Sequence, residues 1–139
     1  MDYRETDHPP ERFVPAYAMA RAAGLKTTAH AGEFGCPWQH VQTAFDQLQV
    51  NRLDHEYTLL QNPALARRVA DSGIIVTVVP TNSYYLRTLP PDRWAAEHPI
   101  RFMPAAGVRV HPNTDDPTLH LVTGTQQQSQ SPPPFPSPT

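Results

Sequence analysis

The sequence predicts an α/β chain built on a parallel sheet of βα units. Three observations carry that expectation. Helical and strand patterns alternate along the chain, which implies right-handed βαβ units. Ile74–Val79 (IIVTVV) is a continuous apolar run, as expected of a parallel strand covered on both faces. Imidazoles and carboxylates recur just after the strand patterns, where a β/α barrel assembles its active site. The chain has 139 residues, against the about 250 of a complete barrel.

Pro9 and Pro10 suit a first helical turn, where proline forfeits no hydrogen bond. Phe13, Tyr17, Ala20 and Ala23 then recur at near-helical spacing, with Pro15 delaying or kinking the start and Gly24 as the stop. Leu25–His30 (LKTTAH) is a short β-rich segment broken by Ala31-Gly32. Val41, Ala44, Phe45 and Leu48 follow the i, i+3, i+4, i+7 spacing of an amphipathic helix. Val50–His55 reads as a second strand. Asn62-Pro63 is an N-cap followed by proline at N1, opening a helix that buries Leu65 and Val69 and ends at Gly73. After the strand 74–79 come a loop, 80–91, and a short helical piece at Trp94–Glu97. Gly107 then introduces a fourth strand, Val108–His111, stopped by Pro112. Four parallel strands leave edges open, so the rest of the sheet is expected from elsewhere.

Composition narrows the function classes. Net charge is −2 with histidines neutral, and no Lys/Arg run occurs, so neither nucleic acid nor an anionic membrane is the expected partner. No stretch approaches the roughly 18 continuous apolar residues of a membrane span. The N-terminus has no apolar signal-peptide region, and the one cysteine, Cys36, has no internal disulfide partner; a reducing, cytoplasmic setting is the expectation. From Gly124 the composition turns to Gln, Ser and Pro, with five of the 17 prolines in the last eight residues. Residues 1–123 therefore read as the folded unit and 124–139 as a disordered tail.

The strand ends carry the chemistry. The first ends in His30-Ala31-Gly32-Glu33, the second in Asp54-His55, the third in Pro80-Thr81-Asn82-Ser83 and the fourth in His111-Pro112-Asn113-Thr114-Asp115-Asp116. Imidazole and carboxylate donors suit Zn²⁺ and metal-assisted hydrolysis, with a nearby glutamate as general acid/base. Each residue alone has a plainer explanation: a hydrogen-bonded histidine, a turn aspartate, a solvated glutamate. Their coincidence at successive strand ends favours the functional one. Asn82-Ser83-Tyr84-Tyr85 reads as aromatic packing against a helix in preference to a substrate mouth. With one cysteine the H-x-E/P-C-x-x-C deaminase pattern is excluded, and no Gly-rich phosphate loop occurs.

Thr28-Ala29-His30-Ala31-Gly32-Glu33, Arg52-Leu53-Asp54-His55 and Asn113-Thr114-Asp115-Asp116-Pro117 resemble, in order and spacing, the motifs of the adenosine deaminase family. Asn62-Pro63, Val79-Pro80-Thr81-Asn82, His98-Pro99 and Ala106-Gly107-Val108 fit as well, so the likeness spans residues 8 to 123. It implies a partial (β/α)8 TIM barrel, about strands five to eight, and a zinc-dependent purine deaminase. In that family's terms His30 and Asp115 are metal ligands. Glu33 protonates purine N1, and His55 and Asp115 orient the attacking hydroxide. Gly32 and Asp116 bind the purine. The implied reaction of the intact enzyme is adenosine to inosine plus ammonia, with adenine as the alternative substrate.

The sequence also departs from the family. The His-x-His pair that supplies two further zinc ligands is absent from these 139 residues, which leaves the Zn²⁺ site incomplete. Glu56 stands where the family has glycine, and Val79 where cysteine is common. His8, His40, His98, His111 and His120 lie outside the motifs and are not assigned as substitutes. Either a missing N-terminal half or an oligomer partner completes the enzyme, or the chain is an inactive truncated fragment.

Overall fold

A computed structural model describes residues 5–86 and 88–115. Asp116 and the segment from Gly124 onward lie outside the described residues. A 3-10 turn, Pro10–Phe13, leads into α1, Val14–Ala22, with Pro15 in its first turn, so the proline delays the helix without kinking it. Gly24 takes φ +74 and the chain enters β1, Thr28–Ala31. Tyr17 pins α1 to this strand by donating to the Thr28 carbonyl at 2.7 Å.

Helix α2, Trp38–Thr43, runs on as a π-helical segment, Ala44–Leu48. Val41, Ala44 and Leu48 are fully buried, as the spacing predicts, and Phe45 packs at their margin. Strand β2, Arg52–His55, is followed by a 3-10 turn, Leu59–Gln61, and by α3, Pro63–Ser72. Asn62 Oδ1 accepts the Leu65 N–H at 3.1 Å, and Gly73 closes the helix at φ +69. Strand β3 is Ile75–Val78.

The loop expected over 80–91 is instead partly helical. Helix α4, Pro80–Tyr85, is set by contacts remote in sequence, which periodicity does not register. Ser83 Oγ, fully buried, donates to Pro80 O at 2.8 Å and lies 2.9 Å from His98 Nε2. Trp94, in helix α5 (Pro91–Glu97), donates its indole N–H to Pro80 O at 3.1 Å and Ser83 Oγ at 3.2 Å. Tyr84 stacks edge-on against Trp94 at 5.5 Å, the aromatic packing the sequence suggests. Two 3-10 turns and Gly107 at φ +80 deliver the chain to β4, Arg109–Pro112.

The strands form one parallel sheet in the order β1-β2-β3-β4. One face carries Ala29, Ala31, Leu53, Val76 and Val78 into a core shared with Val41, Leu48, Leu65, Val69, Met103 and Val108. The opposite face presents Thr28, His30, Arg52, Asp54, Ile75, Thr77, Arg109 and His111. Among the described residues that second face has no helix over it, and Ile75 is 39% exposed. Of the cover expected on both faces of residues 74–79, that of the core face is present at Val76 and Val78, while on the other face Thr77 is buried and Ile75 is not. The open face is also mostly polar.

Candidate active site at the strand ends

The sheet register sets His30 beside Asp54 and Ala31 beside His55. Strand alternation would send His55 to the helix face along with Leu53. Its backbone turns left-handed at φ +74, which swings the Cα–Cβ bond the other way, and its ring lies 5.9 Å from that of His30. Glu56 follows at φ +54 and Asp115 sits at φ +57. Non-glycine residues seldom adopt this region, and their clustering at one place marks a backbone bent to aim side chains.

The three donor groups of His30, Glu33 and His55 all lie within 4.8 Å of one another. His55 Nε2 is 3.4 Å from Glu33 Oε2 and 4.0 Å from Asp115 Oδ2. Both His55 and Glu33 are buried, at 5% and 3% exposure. Beside them opens a cavity of about 320 Å³ lined in part by His30, Asp54, His55, Thr77, Asn113 and Asp115. Asp54 is its polar floor: it accepts from Thr28 Oγ1 and Thr77 Oγ1, and from Arg52 Nε at 3.1 Å.

Burial governs the protonation states. Desolvation, then the charges of Asp115 and Glu5, push Glu33 up to about 8, so it holds a proton at neutral pH. Desolvation, then His30, push His55 down to about 4, outweighing the opposing pull of Asp54 and leaving a neutral imidazole. One carboxylic acid and one neutral base thus face each other across the site, the division of labour that acid/base chemistry needs.

The structure brings four sequence-predicted residues together: His30, Glu33, His55 and Asp115. Asp116 falls outside the described residues. Gly32 is buried at φ +70 and gives its N–H to Glu5 Oε1 at 2.8 Å. Of the unassigned histidines, His98 is a neutral structural residue, accepting the Ile100 N–H at 3.2 Å, and His40 pairs with Glu5 at 2.8 Å. Sequence reading missed Glu5, because nothing in its local pattern signals a partner 27 residues away. The donor set suits zinc, and two of its buried atoms, Glu33 Oε1 and His55 Nδ1, have no hydrogen-bond partner among the described residues. His30 and Asp115 both line the cavity.

Comparison with known proteins now decides the family. The sequence model described as adenosine deaminase matches residues 1–130. The chain belongs to the adenosine deaminase family. It is 41% identical over 118 residues to an adenine deaminase of Sphingopyxis alaskensis and 40% identical over 118 residues to one of Rhodospirillum rubrum. These alignments take in 85% of this chain but 33% and 34% of the relatives. Among solved structures, an amidohydrolase from Burkhoderia ambifaria with bound Zn superposes at a TM-score of 0.85 with 62% identity, over 92% of this chain and 35% of that one. Adenine deaminase from Arthrobacter aurescens gives 0.76 with 34% identity, over 86% and 35%. This adenosine deaminase family chain thus spans about a third of the length of the curated relatives it matches.

Proposed function

We propose that the chain forms the C-terminal half of a (β/α)8-barrel purine deaminase, and that the whole enzyme hydrolyses adenine to hypoxanthine and ammonia. The convergence of a protonated Glu33 and a neutral His55 on the cavity beside His30 carries this reading. The curated relatives cited above are adenine deaminases, which supports adenine over adenosine as the substrate.

In this mechanism the Glu33 carboxyl donates its proton to ring N1, which makes C6 electron-poor. His55 Nε2 takes a hydrogen bond from the attacking water and holds its oxygen towards C6. As water adds to C6, His55 Nε2 takes one of its protons and passes it to the exocyclic amine. The C–N bond breaks, ammonia leaves, and the remaining hydroxyl proton returns to the Glu33 carboxylate as the C6 carbonyl forms. Burial of both side chains excludes bulk water from these transfers. His30 and Asp115 would hold zinc, which when bound supplies the Lewis acidity that makes water a nucleophile near neutral pH. Asp116, by the family resemblance, hydrogen-bonds the purine. Asp54, with Thr28 and Thr77, keeps the strand ends in register beneath the site.

The missing His-x-His favours a second statement about the chain by itself: two zinc ligands are too few for tight binding, so alone it is expected to be inactive. Ammonia release from adenine and adenosine, with zinc content measured on the same sample, tests both. The 139-residue chain is expected to hold little zinc and turn over neither substrate. A chimera in which the N-terminal part of an adenine deaminase relative precedes this chain is expected to bind zinc and prefer adenine. A zinc-loaded chimera that prefers adenosine would overturn the substrate assignment, and one that acts on neither would overturn the reaction.

A further inference from the structure

Behind the site, and outside the reaction described, lies a second buried cluster: Glu5, Cys36 and His40. Its centre is Glu5, which is 1% exposed and precedes the first helical turn. Oε1 accepts the Gly32 N–H at 2.8 Å, and Oε2 accepts the Glu33 N–H at 3.0 Å. His40, on α2, places Nδ1 2.8 Å from Oε1. The Cys36 sulfur lies within 4.8 Å of this carboxylate. Cys36 in turn closes the loop below Glu33, since its N–H donates to the Glu33 carbonyl at 2.8 Å across Phe34 and Gly35, both left-handed at φ +50 and +73.

We propose that Glu5 is the positioning residue of the catalytic acid: its carboxylate clamps the two consecutive amides of Gly32 and Glu33 and so fixes where the Glu33 carboxyl meets the purine. The proposal rests on the assignment of Glu33 as that acid. Two successive N–H groups converging on one carboxylate need a bent backbone. The left-handed Gly32 supplies the bend, and a β-carbon there would come within 2.4 Å of Thr58 Oγ1, so the turn is also walled in from behind. Charge-assisted bonds to backbone N–H are among the stronger hydrogen bonds, and here they lie in a buried, low-dielectric setting.

The same three residues have the composition of a metal group, but the geometry favours the clamp. Both Glu5 oxygens already accept amide protons, and burial, then Glu5, push the Cys36 thiol up to about 12, so it remains a proton donor. His40 and Cys36 act as braces that hold the carboxylate from the helix side and the loop side.

The test uses Glu5→Gln and Glu5→Ala. In the full chain, amide proton shifts and hydrogen exchange of Gly32 and Glu33 read the clamp directly. Both amides are expected to exchange at least about 100-fold faster in Glu5→Ala, with α3 amides unchanged and acetate restoring protection. Glu5→Gln, keeping one carbonyl oxygen, is expected to protect one of the two. In the zinc-loaded, turnover-competent enzyme, Glu5→Ala is expected to lower kcat about 100-fold with KM little changed, the signature of a misplaced catalytic group. Unaltered exchange, no acetate rescue, or a cobalt(II)–thiolate absorption band that Cys36→Ser removes would overturn the proposal. Full turnover in Glu33→Gln would instead remove the acid assignment beneath it, an outcome the amide measurements leave separate.

Discussion

At the scale of single residues, the site works by opposing two burial effects. Desolvation keeps a proton on Glu33 and keeps one off His55, because in each case it disfavours the charged form. Glu33→Gln is accordingly expected to cut turnover by about 10² to 10⁴-fold in the zinc-loaded enzyme while zinc content stays unchanged. Loss of zinc along with activity would show that Glu33 is a ligand and not the acid. Gly32 tests the backbone side of the same turn. In Gly32→Ala the new methyl would meet Thr58 Oγ1 at 2.4 Å and Val41 Cγ2 at 2.8 Å, at a φ of +70. A destabilisation of about 1–3 kcal/mol is expected, read as a lower urea midpoint. The identities of His30, Glu33, His55 and Asp115 were legible in the sequence from their places after the strands. Glu5 was not, because a side chain that caps a distant turn leaves no local period.

At the scale of elements, the helices that obey local rules are the ones the sequence predicts well. Asn62, Pro63 and Gly73 bound α3 with the chemistry their types suggest. Asn62→Ala is expected to cost about 1 kcal/mol in chemical denaturation, and an unchanged midpoint would mean the cap contributes nothing. Leu53, fully buried on β2 between the sheet and the helices, should cost more: Leu53→Ala is expected to lose about 2–5 kcal/mol. Helix α4 is the instructive contrast. Its residues PTNSYY carry no helical period, and its position comes from Trp94 and His98, which converge on Ser83 from later in the chain. The pattern of residues 74–79 likewise shows that this strand is buried, but not on how many sides.

At the scale of the whole chain, the buried titratable groups set a pH dependence of stability for the metal-free protein. Glu33 is raised from an ordinary 4.5 to about 8, so its contribution to folding is complete below 4.5 and is lost as pH rises through 8. Glu56, buried at φ +54, is raised in the same direction by desolvation and then by the charge of Glu5. His55 and His98 are lowered from 6.5 to about 4, so their contribution is present above 6.5 and is lost as pH falls towards 4. Between 6.5 and 8 only the carboxyls change, and stability is expected to fall with rising pH by up to about 1.4 kcal/mol per unit for each group. Urea titrations across that window check this, and Glu33→Gln should flatten the slope. A flat profile in the unsubstituted chain would mean that the site carboxyls are ionised in the folded chain.

The sequence by itself determined the order of strands and helices, the parallel sheet, and the residue types at the strand ends, because these follow from local periodicity and from motif spacing. The tertiary structure decided the rest. Left-handed backbone at His55 turns that side chain where alternation would not send it. Burial, which depends on every neighbour at once, keeps Glu33 protonated and His55 neutral. The clamp on Gly32 and Glu33 exists only because folding brings Glu5 to a turn 27 residues away, an encounter that no window of sequence contains.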